Sequence, residues 1–497
     1  MERVAQSGPS PHNGRIRCKA SRVSCPRDLR VNEMKAVSAQ VALVERNQSL
    51  LSRVTALFVF LFEKAMPDPY VFAVLLTFVG VLLARIYAPN ATLPSIAAAW
   101  YGGIFAIFAF AFQMVIMLVA GYALAIAPPV QKLLARIAGM VSTPLGAISL
   151  TMIVSIIASW LNWGLGLVTA ALLAREMAKR VRLDFGWLVA AAYSGFVVST
   201  EGLSGSIALS QATRGSVLNI VEKVTGHIVP LSDTVFSRFN LIPCLVLLVC
   251  LPVLFRYLRP AEKHTIVADP DRLRQEDQQV HVKERENTLG SRLDNAWILN
   301  LALVLFGVFA LVMEWSHKGF SLDLNSVIIG LILGGLLLHW RPSAYIGAVK
   351  HAARICGSLV LQYPLYGGLM GIITTTGLAG VLSKVFIKYS TAHTLPFFTY
   401  LTSMIITLFV PSGGGHWAVQ GPFAVPAAVQ LHTSLAGTTM AVAMGESVAN
   451  MLQPFWALPI LAIAGIPMRR MMGFMVVTFF VSAIVFGLSL LFLVPPQ

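Results

Sequence analysis

Apolar residues in this chain gather in runs too long and too uniform to be the buried face of a water-soluble fold. Runs near the roughly 20 residues that a helix needs to cross hydrocarbon fall at 69–87, 101–126, 240–258, 296–315 and 474–493. Less uniform candidates lie at 187–210, 326–340, 357–379 and 437–463. The pattern predicts an all-α polytopic membrane protein with about nine or ten transmembrane helices, since helices satisfy every backbone group within the segment. Asp68-Pro69 suits the opening of the first span, with Asp as N-cap and Pro at the first helical position.

Two segments depart from simple spans. Residues 145–176 begin apolar (LGAISLTMIVSIIAS), break at WLNWGLG and resume to Ala174. The first arm, taken as about 15 residues, would be only ~22 Å long, short of a ~30 Å core. Basic residues flank both ends: Lys132 and Arg136 before, Arg175, Lys179, Arg180 and Arg182 after. Two ends that both favour the cytoplasm predict a re-entrant hairpin. Residues 395–431 repeat the design, with arms PFFTYLTSMIITLFV and FAVPAAVQL around a break at PSGGGHWAVQGP.

Each hairpin precedes a span that is itself interrupted, YSGFVVSTEGLSGSIAL from Tyr193 and AMGESVANMLQPFWALP from Ala443. Walking the spans from a cytoplasmic N-terminus makes the two hairpins enter from opposite faces, an inverted repeat with discontinuous helices at the site. The expected organisation is a basic, partly disordered cytoplasmic tail (1–60), a first membrane repeat (61–258), a cytoplasmic linker (259–294) and a second repeat (295–497). Met34 stands as an alternative start within the tail.

Composition agrees with lipid as the main solvent. The chain is 56% hydrophobic and 12% charged, about half the charge of a soluble domain. Its net charge of +15 sits largely in the tail and short loops, as the positive-inside rule requires. No interleaved aromatic platform accompanies it, so nucleic-acid binding is not expected. Cys244, Cys250 and Cys356 fall in apolar runs as small hydrophobes, and Cys18 and Cys25 lie in the tail without ligand partners. No metal site or cofactor is indicated.

Broken backbone inside hydrocarbon survives only where protein or a watery cavity surrounds it. The four breaks therefore mark the expected site, where half-helix N-termini suit an anion and opposing carbonyls suit a cation. The first tip offers Ser159, Asn162, Trp163, Gly164 and Gly166; the second offers Ser412, Gly413, Gly414, Gly415, His416 and Gln420. Three consecutive glycines allow close approach of a ligand to backbone. The first broken span offers Gly202, Ser204, Gly205 and Ser206, the second a stripe of Glu446, Ser447, Asn450 and Gln453 at helical spacing. Glu201 reads either as an ion-coupling carboxyl, with Glu446, or as a group at the watery end of its span. His416 reads as a proton-coupling group, a neutral donor to substrate, or a satisfied structural histidine.

No phosphate-loop motif occurs, so ATP-driven pumping is not expected. Two alternatives stay open: an intramembrane serine protease using Ser204 of Gly202-Leu-Ser204-Gly205 with His416 or His432 as base, and an anion channel. Beyond these residue-level readings, PSGGGHWAVQGP (Pro411 to Pro422), GLSGSIAL (Gly202 to Leu209), MPDPYVFAVLLT (Met66 to Thr77) and AAAYSGF (Ala190 to Phe196) resemble the short-chain fatty acid transporter family, part of the ion-transporter superfamily. The resemblance covers roughly residues 60 to 495. It implies a secondary transporter for short monocarboxylates such as butyrate or acetoacetate, coupled to H+ or Na+, in a bacterial inner membrane; a homodimer is one arrangement it allows. By similarity Ser412 to His416 and Gly202 to Ser206 fall in the substrate region, with Ser204, Ser412 and Asn450 donating to a carboxylate. One stretch departs from the family pattern: Ser199-Thr200-Glu201 stands where a Trp-His-Gly stretch is common.

Overall fold

The long apolar runs form helices. Among the described residues of the computed structural model six of them are long and apolar enough to cross a membrane: Tyr70–Tyr87, Leu93–Ala125, Pro144–Leu161, Arg238–Tyr257, Trp297–His317 and Met472–Phe492. A seventh is a pair, Leu359–Thr375 and Leu378–Tyr389, bent by 76° at Gly377, whose φ of +87° lies in the left-handed region. The remaining expected spans are shorter or interrupted: Phe185–Val198, Leu324–His339, and Leu435–Ala449 followed by Ala457–Ala464. The described residues are 69–88, 91–260, 267–271, 273, 288–320, 322–452 and 456–495, all within one unit, Val54–Gln497. The tail (1–60), Asp68, Gln453 and most of the expected linker lie outside them.

Helices in lipid gain little from apolar burial against one another, so close packing depends on small residues. The helices Leu93–Ala106 and Gly357–Thr375 meet this way. A Cβ added at Gly103 would stand 2.2 Å from the Gly367 carbonyl oxygen, and one at Gly371 2.2 Å from that of Ala99. Outward positions carry large apolar side chains such as Phe78, Phe112, Phe306 and Ile484, all more than half exposed and suited to lipid tails. Cys250 belongs to this outer face rather than to a buried position, while Cys244 and Cys356 are buried.

The first hairpin is the pair Pro144–Leu161 and Trp163–Ala178, which pack against each other. The break expected over seven residues narrows to one, Asn162, which ends one helix and caps the next. Thr143 and Pro144 start the first arm early and Trp160-Leu161 prolong it, giving 18 residues and about 27 Å, longer than expected. The second hairpin is Leu395–Thr407 and Gly413–Gln430. Its break also narrows, to 408–412, and the glycine run with HWAVQGP is helical. Glycine is tolerated there because a helix's first amides have no intrahelical partner. The arms of this hairpin lean on other elements: Leu395–Thr407 on Leu435–Ala449, and Gly413–Gln430 on the bent pair.

Each hairpin meets its broken span through the same device. Ser155 Oγ donates to the Ala192 carbonyl at 2.5 Å, and a Cβ at Gly195 would lie 2.3 Å from that hydroxyl. In the second half Ser403 Oγ donates to the Val442 carbonyl at 2.7 Å, and a Cβ at Gly445 would lie 2.6 Å from it. A serine on the hairpin's first arm thus closes on a carbonyl whose helix carries glycine three residues later.

The candidate carboxylate site

Asp184 caps the first broken span by accepting from Trp187 N–H at 2.8 Å. The α-helix Phe185–Ser194 tightens to a 3-10 turn, Gly195–Val198, then leaves helical geometry until Ser206–Ala212. The first hairpin tip satisfies the freed backbone. Leu203 N–H donates to the Trp160 carbonyl at 2.8 Å, and Ser204 Oγ accepts from Trp163 N–H at 2.9 Å. Asn162 Oδ1 accepts from Leu165 N–H at 2.8 Å. Protein groups thus pair the Trp163 and Leu165 amides of the first tip, while Ser159 Oγ and Asn162 Nδ2 are buried without a partner among the described residues. Glycines make the approach possible: a Cβ at Gly202 would lie 1.9 Å from Trp160 O, and one at Gly166 2.3 Å from Ser159 Cα.

The second tip is open. Ser412 precedes the helix Gly413–Gln430, yet no side chain caps that helix, and the Ser412 hydroxyl donates to Tyr363 Oη at 3.1 Å. A Cβ at Gly413 would fall 2.5 Å from Ser206 Oγ and 3.1 Å from Glu446 Oε2. The tip of hairpin two, the resumption of the first broken span and the carboxyl of the second thus come together. Glu446 Oε2 is buried and has no hydrogen-bond partner among the described residues, while Asn450 bonds the carboxyl.

These groups line a cavity of about 30 Å3 with Ser199, Thr200 and Gly205 on its polar side, room for one or two waters. Its apolar side is Met114, Leu359 and an aromatic cluster, in which Trp163 meets Trp456 edge-on at 5.2 Å between centroids. A larger cleft of about 300 Å3 lies among Arg182, Asp184, Arg259 and Val267, but no residue of the four breaks lines it.

Of the residues expected at the site, Trp163, Gly205, Ser206, Ser412, Gly413, Glu446 and Asn450 line the cavity. Ser159, Asn162, Gly164, Gly202, Ser204, Gly414, Gly415, His416 and Gln420 do not. Gly414 and Gly415 face Phe110 and Tyr366. His416 has both ring nitrogens engaged, Nδ1 with Thr407 Oγ1 at 3.1 Å and Nε2 with Gln420 Oε1 at 2.6 Å, and Gln420 donates on to the Thr399 carbonyl. Glu201 is fully buried rather than at a watery end, held by Ser447 and Thr200. Tyr363, Phe196 and Trp456 also line the cavity and went unnoticed as site residues. For Tyr363 a signal existed: the polar Gln362-Tyr363-Pro364 step inside an apolar run.

An all-helical membrane fold whose interrupted helices converge on a buried polar cavity has the architecture of a membrane transporter. It is similar to the Alcanivorax borkumensis YdaH transporter (TM-score 0.55, 16% identity, 85% of this chain and 98% of that one). It is also similar to Neisseria gonorrhoeae MtrF, described within a class of antimetabolite efflux pumps (TM-score 0.54, 14% identity, 89% and 97%). The chain belongs to the short-chain fatty acid transporter family, whose model matches residues 50–493. Relatives named for short-chain fatty acid transport are 36% identical in Escherichia coli (strain K12), over 89% of this chain and 99% of that protein, and 35% identical in Haemophilus influenzae, over 89% and 100%. The protein is a transporter and not an enzyme. The protease alternative falls with that finding: Ser204 is bonded to Trp163, His416 is held by Thr407 and Gln420, and His432 is exposed beyond the far end of the second hairpin's helix.

Proposed function

We propose that the protein carries short monocarboxylates such as butyrate or acetoacetate by ion-coupled secondary transport across a bacterial inner membrane. The observation that carries this reading is the meeting of the uncapped Gly413 helix start with Ser206 Oγ and the unpartnered Glu446 Oε2. A substrate carboxylate would accept from the first amides of that helix and from the Ser206 hydroxyl. Its short alkyl chain would lie against Trp163, Phe196 and Trp456. The cavity must widen for any such acid to enter, as alternating access requires. The Ser155 and Ser403 contacts, built alike in the two halves, support reading them as an inverted repeat.

Charge supports ion coupling. A carboxylate at Gly413 would stand beside Glu446, and two bare carboxylates at about 4 Å repel by about 4 kcal/mol at an effective dielectric of about 20. No Lys or Arg among the described residues lines the cavity to offset this. The anion would bind well only after Glu446 is neutralised by a proton or by a sodium ion beside it. That ties substrate entry to cation entry.

Full-length protein in proteoliposomes should take up radiolabelled butyrate or acetoacetate saturably, driven by an imposed cation gradient. Absence of saturable uptake for every short acid from two to six carbons removes the reading.

A further inference from the structure

Glu201 lies just outside the cavity, fully buried, beside a knot of four hydroxyl contacts and with its own backbone N–H also bonded to the carboxyl. Thr200 Oγ1 reaches the Ala443 carbonyl at 2.9 Å, Ser447 Oγ, and Glu201 Oε1 at 3.1 Å. Ser447 Oγ reaches Glu201 Oε2 at 2.9 Å. Every such contact needs a hydrogen between its oxygens, and each hydroxyl brings one.

The count has few solutions. The Ala443 carbonyl is only an acceptor, so it takes the hydrogen of Thr200. Thr200 then accepts from Ser447, which uses the hydrogen of Ser447. The contact between Ser447 and Glu201 Oε2 is left for a hydrogen on the carboxyl itself. An ionised Glu201 leaves two of the four contacts as facing lone pairs; a protonated Glu201 leaves one. The titratable groups near enough to feel Glu201 are Glu446, Cys244 and Tyr400, one on each of three neighbouring helices. None is a cation, and no salt bridge to Glu201 occurs among the described residues.

We propose that Glu201 is the proton carrier of this transporter, loaded in this conformation, and that the hydroxyl of Thr200, a residue lining the cavity, passes the proton between cavity and carboxyl. The proposal rests on the transport reading above and deepens it by choosing the proton over sodium. The proton enters from the cavity, moves through Thr200 and Ser447 to Oε2, and leaves by the same route when the substrate has gone.

The test uses full-length protein in proteoliposomes with radiolabelled butyrate. Wild type should accumulate butyrate under an inward proton gradient without sodium. Glu201→Gln keeps a donor to Ser447 and mimics the loaded state. It should lower gradient-driven accumulation about a hundredfold while butyrate exchange across the membrane continues. Thr200→Val should slow accumulation about tenfold and Thr200→Ser should restore it. This pair decides the matter if Glu201→Gln fails to fold. Accumulation by Glu201→Gln at the wild-type level, Thr200→Val indistinguishable from wild type, or a sodium requirement in wild type overturns the proposal while transport stands. Wild type that neither accumulates nor exchanges any short acid takes down both readings.

Discussion

At the first hairpin tip the helix starting at Trp163 has leading amides closed by Asn162 and Ser204. At the second, the helix starting at Gly413 has Ser412 turned aside to Tyr363 and no side-chain cap. Both tips sit in matched positions of the chain and both are flanked by apolar arms. A closed helix start in the membrane interior is a structural joint, since its donors are used. An open one next to a hydroxyl and a carboxyl leaves donors for a ligand. The glycines divide the same way: those of the first tip abut backbone and Ser159, whereas Gly413 abuts Ser206 and Glu446.

Substitutions can break this contrast, and the largest expected effect is at the joint. Gly202→Ala puts a Cβ 1.9 Å from a backbone oxygen, a clash no rotamer relieves. We expect a loss above about 4 kcal/mol, seen as little or no monodisperse protein in detergent. Gly413→Val meets the ends of two side chains instead. It should leave thermal unfolding in detergent near wild type while butyrate uptake falls about a hundredfold. Equal loss of folding in both variants would erase the distinction.

Smaller effects sharpen it. Asn162→Ala and Ser204→Ala each remove an acceptor from a helix-start amide and should cost about 1 kcal/mol of stability, with the KM for butyrate changed less than about twofold. Ser412→Ala removes no cap. It loses the buried bond to Tyr363, which also lines the cavity, so it should cost about 1 kcal/mol of stability and, unlike the first-tip variants, raise KM a few-fold. A KM effect at Ser204 with none at Ser412 would exchange the roles of the two tips.

Much of this architecture was legible because hydrocarbon leaves few options for a backbone. The apolar runs, the interruptions near Asn162 and Ser412 and the polar Glu446, Ser447 and Asn450 around the end of Leu435–Ala449 could all be read from residue order. The width of the breaks could not, since Trp160-Leu161 and the glycine run are neutral to pattern and become helical only through packing. Nor could the different uses of Asn162, Ser204 and Ser412 be read. Whether a hydroxyl caps a helix or faces a ligand depends on which amide the opposing segment leaves unpaired, and that segment lies some forty residues away in sequence. Tyr363 reaches the cavity from a helix with no motif of its own, and Trp456 from the turn before Ala457–Ala464. His416 drew notice as the one titratable ring in a glycine-rich motif, yet its bonds to Thr407 and Gln420 run within the second hairpin.

The substrate carboxylate is proposed to bind at the second tip and not at the first, whose Trp163 offers only its ring to the cavity. Single cysteines introduced as Ser412→Cys and Ser204→Cys, in chains whose native cysteines are replaced by serine or alanine, can be alkylated in proteoliposomes with and without butyrate. The account predicts that saturating butyrate slows alkylation at position 412 and leaves position 204 unchanged. Protection at 204 with none at 412 would contradict it.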